Sequence, residues 1–184
     1  MSNGIPKTML PAECICYPRS GHHALTNVLA HYFGANFHYC EMYRENQRTI
    51  GMGSPTTWQK NHDFELRTPV LPERRYVVQV RNPLEAIESW QMLDRRLIGR
   101  VNETQEKRLD FWTAFVKKWV LGPVPNRMVV WYEDLVERPV PTVTSVIQFV
   151  TKTQNVDAEK LQEALEKFPL QRRTQTCPTR YTKA

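Results

Sequence analysis

A short apolar segment that runs through a proline and a glycine straight into helical apolar spacing constrains this chain more than any other stretch. Residues 14–23 read CICYPRSGHH. Cys14, Ile15, Cys16 and Tyr17 suit a buried strand, Pro18-Arg19-Ser20-Gly21 suits a tight turn, and from His22 onward Leu25, Val28, Leu29, Tyr32 and Phe33 fall on one helical face. Gly34 ends that helix. A strand that turns sharply into a helix aims several backbone N–H groups and the positive end of the helix dipole at one point. That geometry holds phosphate or sulfate. Arg19 adds a fixed positive charge, Ser20 a hydroxyl, and Gly21 lets the backbone approach an anion closely. Arg19, Ser20, Gly21, His22, His23 and Ala24 are therefore read as an anion cradle.

A second junction repeats the logic. Residues 75–80, RYVVQV, are rich in β-branched and aromatic side chains and predict a strand. Asn82 then caps a helix whose first position is Pro83, with Glu85 placed to complete a capping box. Leu84, Ile87, Trp90 and Leu93 or Leu97 are its expected inward residues, and Ser89 points away from the core. Arg81 stands at the carboxyl end of the strand, where open α/β sheets place their ligands.

Further strands are expected at 37–43, 57–64 and 127–132, and further helices at 109–120, 139–150 and 157–168. Residues 1–12 read as an irregular lead-in, 44–55 as a mobile loop and 169–184 as a basic tail. Leu109, Trp112, Phe115, Val116, Trp119 and Val120 form a core stripe, with Lys107, Arg108, Lys117 and Lys118 among the polar positions and the lysines read as a solvated face. Strands alternating with helices predict one α/β domain over residues 1–184. Its central sheet is mostly parallel and flanked by helices on both faces.

With 41% apolar and 24% charged residues, the chain of 184 residues can bury a full core. Lys and Arg outnumber Asp and Glu by 25 to 19, which favours an anionic partner. No dense basic block or RNA-binding aromatic signature is present, so nucleic acid is not the expected one. Cys14, Cys16, Cys40 and Cys177 lack paired zinc spacing and read as incidental thiols. No apolar run suits a signal peptide or a membrane span, and a cytoplasmic setting is the default expectation.

Three separated motifs resemble one family, the sulfotransferases that use 3′-phosphoadenosine 5′-phosphosulfate (PAPS). YPRSGHHAL is similar to their 5′-phosphosulfate loop, usually written PKSGTTW. VVQVRNPLEAIESW resembles their 3′-phosphate motif, which places Arg81 and Ser89 on that phosphate. WQKNHDF resembles the Lys-x-His segment carrying the family's catalytic histidine, here Lys60 and His62. WYEDL is a weaker fourth match, in which Tyr132 would lie near the adenine. The motifs span residues 14–139 and occur in the family's order.

The resemblance implies a P-loop NTPase-like fold and in-line transfer of a sulfuryl group from PAPS to a hydroxyl or amine. The released product is adenosine 3′,5′-bisphosphate (PAP). The acceptor would be a small molecule, carbohydrate, lipid or peptide, and the scheme requires no metal. His62 would be the base, since a neutral imidazole with a pKa of about 6.5 takes a proton at physiological pH. Lys60 and Arg19 would stabilise charge on the leaving oxygen. Arg19 stands where the family commonly has lysine, and a guanidinium is a poor proton donor. His22 and His23 stand where hydroxyl residues usually hold phosphate oxygens, so their protonation would tighten binding at low pH. The family's C-terminal phosphate loop is unrecognisable, although Arg172 and Arg173 lie in about the right region.

Two other readings compete. A P-loop nucleotide kinase requires Gly-Lys-Ser/Thr at the end of the loop, and this chain has Gly21-His22-His23. A non-catalytic nucleotide or sulfated-ligand binding module keeps the cradle but has no need of Lys60 and His62. Metal binding by the adjacent pair His22-His23 is disfavoured, because neighbours on a helix point about 100° apart.

Overall fold

The computed structural model describes residues 9–42 and 56–171. Strand β1 (Ala12–Cys16) leads through the turn to α1 (His22–Phe33), then to β2 (Tyr39–Met42) and β3 (Trp58–Asn61). Next come β4 (Tyr76–Val80), α2 (Pro83–Ile98) and α3 (Gln105–Phe115), which continues as a π-helical turn over Val116–Leu121. The described chain closes with β5 (Arg127–Trp131), α4 (Tyr132–Glu137), α5 (Pro139–Thr151) and α6 (Ala158–Lys167). The loop expected at 44–55 and the tail with Arg172 and Arg173 lie outside the described residues.

The five strands are parallel and ordered β2-β3-β1-β4-β5. β1 is central. The chain fills the sheet on one side of it with β2 and β3, then crosses to the other side for β4 and β5, so the direction of winding reverses there. Ligands of open α/β sheets bind at that reversal, outside the carboxyl ends of the strands.

Both faces of the sheet are covered, as a parallel sheet requires. Cys14 and Cys16 face α1, α5 and α6, packing with Leu25, Val28, Leu29, Val146 and Leu161. Ile15 and Tyr17 face the opposite layer, with Val78, Ala86, Phe115 and Trp119. The alternation along residues 12–17 sends their apolar side chains to two separate cores.

The second layer departs from expectation. Ala86 and Ile87 of α2 are buried and Trp90 is partly so, whereas Leu84 and Leu97 are 62% and 65% exposed. α2 is held along its middle, and its end turns overhang. Its cap forms as expected, with Asn82 Oδ1 accepting from the N–H groups of Leu84 and Glu85. The reciprocal bond differs: the Asn82 N–H donates to Glu133 at 2.9 Å, while Glu85 turns to Arg81.

Arg108 and Lys118 are not on a solvated face. Arg108 is 1% exposed, ion-paired with Asp94 and stacked 4.3 Å from the centre of the Trp90 ring. Lys118 donates to Asp63 Oδ2 at 2.7 Å and to the carbonyls of Leu66 and Thr68. The π turn widens the helix here and alters its phase, and Lys118 and Trp119 both reach Asp63.

Candidate active site at the carboxyl edge of the sheet

The cradle forms from local backbone geometry. Arg19 and Gly21 both adopt left-handed conformations, with φ of 69° and 85°. Gly21 is the N-cap of α1, and no side chain caps that helix. Its first-turn N–H groups, including those of His22, His23 and Ala24, are thus presented without a side-chain acceptor. Gly21 is required twice over. Its φ suits glycine, and a Cβ there would lie 2.7 Å from Cδ2 of Tyr132.

The two anion motifs meet. Arg19 Nε donates to Ser89 Oγ at 3.0 Å, joining the first junction to the second. Arg81 donates to the carbonyl of Arg19 at 3.4 Å and to Glu85 Oε2 at 2.7 Å, and its guanidinium lies 4.1 Å from the centre of the Tyr132 ring. Tyr132 is thus a platform beneath both Gly21 and Arg81. Arg81 Nε is buried and has no partner among the described residues, so one donor in this basic corner is unspent. A neighbouring cleft of about 380 Å³ is lined by Glu85, Glu133 and Asp134 with Trp112 and Trp131. Its carboxylates repel an anion, which leaves the cradle as the candidate site.

Two cradle side chains point elsewhere. The Ser20 hydroxyl is buried and donates to the carbonyls of Tyr17 and Gln79, at 2.6 and 3.1 Å, so it braces the turn. His22 turns inward, with Nδ1 3.2 Å from Cys14 Sγ and Nε2 3.2 Å from the Tyr39 hydroxyl. His23 keeps an exposed edge, yet partial burial and then the charge of Lys60 pull its pKa down to about 4. It is neutral at physiological pH.

His62 follows β3 and reaches across to β1. Its Nδ1 is 2.6 Å from the carbonyl oxygen of Cys16, an acceptor only, so Nδ1 carries the proton. In the neutral ring the lone pair therefore sits on Nε2, which has no hydrogen-bond partner among the described residues. Burial disfavours the charged ring, but the Cys16 sulfur and carbonyl beside Nδ1 outweigh it and raise the His62 pKa.

Asp63 locks the segment. It accepts from Lys118, from Trp119 Nε1 at 2.8 Å and from the N–H of Thr68 at 2.7 Å. Sequence gave no hint of this role, because Asp63 reads as an ordinary loop carboxylate. Lys60 is buried, pairs in register with Cys14 and forms an ion pair with Glu41 at 3.3 Å. Beside His62, the exposed ring of Phe64 lies 5.1 Å away and continues to Trp90 and Phe111, forming an apolar shelf.

No family model matches this chain, and no curated protein matches it. Solved structures do. The mouse sulfotransferase SULT7A1 complexed with PAP superposes with a TM-score of 0.57 at 16% identity, over 86% of this chain and 63% of that one. Retinol dehydratase in complex with androsterone and inactive cofactor PAP gives 0.63 at 13% identity, over 90% and 65%. The chain has a sulfotransferase-like fold. It spans less than two thirds of the length of either relative. None of its described helices is long and apolar enough to cross a membrane.

Proposed function

We propose that this chain transfers a sulfuryl group from PAPS to a hydroxyl or amine acceptor. The observation that carries the reading is the junction of the two anion motifs. Arg19 is bonded to Ser89, Arg81 stands behind with an unspent donor, and the α1 N-terminus opens onto the same corner. Such a corner fits a ligand with two anionic ends. That both structural relatives hold PAP supports the same ligand class here.

PAPS supplies an activated sulfuryl group whose departure leaves negative charge on a phosphate oxygen. The residues of this chain do the rest. The N–H groups from Gly21 to Ala24 and the Arg19 guanidinium hold the phosphosulfate end. Arg81 and Ser89 hold the 3′-phosphate, with Tyr132 beneath them. His62 Nε2 accepts the proton of the acceptor, while the bond from Nδ1 to Cys16 fixes the ring and its tautomer. Lys60, on the α1 face beside the cradle, adds positive charge toward the leaving oxygen. The apolar shelf at Phe64, Trp90 and Phe111 supports an acceptor with an aromatic or otherwise apolar body.

The test separates chemistry from binding. His62→Ala is expected to lower sulfuryl transfer to a phenolic acceptor by about 10²–10⁴-fold, the usual worth of a positioned base. PAP affinity, measured by calorimetry, should stay within about threefold of the wild type. Equal turnover in the two proteins would remove His62 from the mechanism.

A further inference from the structure

Behind the cradle, three metal-ligating side chains meet, none of which touches the reacting groups in the transfer scheme. Cys14 and Cys16 are alternate residues of β1 and share one face, and His22 opens α1 just after the turn. Their two Sγ atoms and one imidazole nitrogen all lie within 4.8 Å of one another, and all three residues are buried. Around tetrahedral zinc, Zn–S of about 2.3 Å and Zn–N of about 2.0 Å place these ligand atoms roughly 3.5–3.8 Å apart. Small side-chain movements close the difference.

The tautomer of His22 that ligates through Nδ1 has an acceptor for its Nε2 proton in place. Tyr39 donates its hydroxyl proton to Glu41 Oε1 at 2.6 Å, so its oxygen is an acceptor toward His22 Nε2 at 3.2 Å. Thr26 Oγ1 lies at the same 3.2 Å from Nε2; with the imidazole proton on Nε2, a lone pair on Nδ1 faces Cys14 Sγ at 3.2 Å. The same sulfur faces Gln79 Oε1 at 3.1 Å. Gln79 is wholly buried, and its Nε2 has no partner among the described residues. Gln79 Nε2 is the unspent donor beside the cluster, and a cation held by the two sulfurs and Nδ1 takes up the imidazole lone pair. A rotated Gln79 amide then donates to the Cys14 thiolate. The relay from His22 through Tyr39 to Glu41 is the kind of outer support that orients a ligating imidazole.

We infer that Cys14, Cys16 and His22 form a binding site for one zinc ion. Two soft thiolates and an imidazole select zinc over magnesium or calcium. Binding forms two Zn–S bonds and one Zn–N bond, releases both thiol protons to solvent, and leaves the buried centre neutral. One tetrahedral position remains for water. The ion ties β1 to the first turn of α1 from behind the turn that carries Arg19. The inference rests on these contacts; Cys16 Sγ also lies 3.4 Å from His62 Nδ1, and a metal titration reads the site without reference to sulfuryl transfer.

Titration of the full chain, stripped of metal, with cobalt(II) and then zinc tests it. The expected result is one equivalent of cobalt with intense sulfur-to-cobalt charge-transfer absorption, bleached by one equivalent of zinc. The thermal midpoint should rise with zinc. Cys14→Ser and Cys16→Ser should each lose much of the band, His22→Ala should weaken cobalt affinity at least about tenfold, and Cys40→Ser should keep both. Absence of the charge-transfer band in the folded wild-type chain overturns the site, whether or not the variants fold. An unchanged band in a folded Cys14→Ser/Cys16→Ser double variant overturns it equally.

Discussion

Arg81 carries the sharpest local competition in the proposed site. Its guanidinium is committed to Glu85 at 2.7 Å, yet its Nε is buried without a partner among the described residues. A 3′-phosphate arriving here gains a charge-assisted bond and meets a carboxylate that already holds the arginine. Removing each partner should therefore act in opposite directions. Arg81→Ala is expected to weaken PAP binding by about 10–100-fold, the loss of roughly 1.5–3 kcal/mol for a hydrogen bond to a charged group. Glu85→Gln should tighten it by a few-fold only, because the Glu85 side chain is 37% exposed and its repulsion is screened. Calorimetry with PAP reads both, and unchanged affinity in the pair would remove residues 81–89 from the nucleotide site. Gly21 belongs to the same corner by a different cause, since its left-handed backbone and the Tyr132 ring both exclude a side chain.

At the scale of elements, two buried ion pairs hold the helical layer in place. Arg108 of α3 pairs with Asp94 of α2, and its carbonyl accepts from the Tyr17 hydroxyl at 3.0 Å, tying both helices to the end of β1. Burial acts to raise the Asp94 pKa, but the Asn102 N–H and the Arg108 guanidinium outweigh it and leave the carboxyl below its ordinary value. A carboxylate depressed in the folded state contributes stability above the unfolded pKa, and that contribution is lost as pH falls through the folded one. Asp94→Asn leaves a buried guanidinium without its counter-charge. It should cost about 3–5 kcal/mol near neutral pH, and the variant should lose less stability on acidification than the wild type. Urea unfolding across pH measures both, and an equal acid loss in the two proteins would show that Asp94 does not titrate in this way.

These pairs also mark where sequence reading stops. The junctions at residues 14–23 and 75–89 were legible because strand, turn, cap and helix signals are local. Lys118 reads as solvated and Arg108 as a plain polar position because their partners, Asp63 and Asp94, stand 55 and 14 positions away. The π turn that reorients Lys118 and Trp119 has no signature in apolar spacing. In the cradle, residue types indicated a phosphate-holding turn. The inward aim of Ser20 and His22 depends on Gln79, Tyr39 and Cys14, which only the folded sheet brings near.

Across the whole molecule, the sheet order brings the residues of the proposed site to one edge. β1 is central and delivers the cradle, β4 delivers Arg81, β3 delivers His62, and β5 runs into Tyr132. The fold is shared with proteins whose structures hold PAP, although the chain spans less than two thirds of either. The central claim is that this edge is built for a nucleotide with two separated anionic ends. Calorimetric titration with PAP against ATP and ADP tests it most directly. The account predicts that PAP binds at least about tenfold more tightly than either, a difference of about 1.4 kcal/mol. A preference for ATP would contradict it.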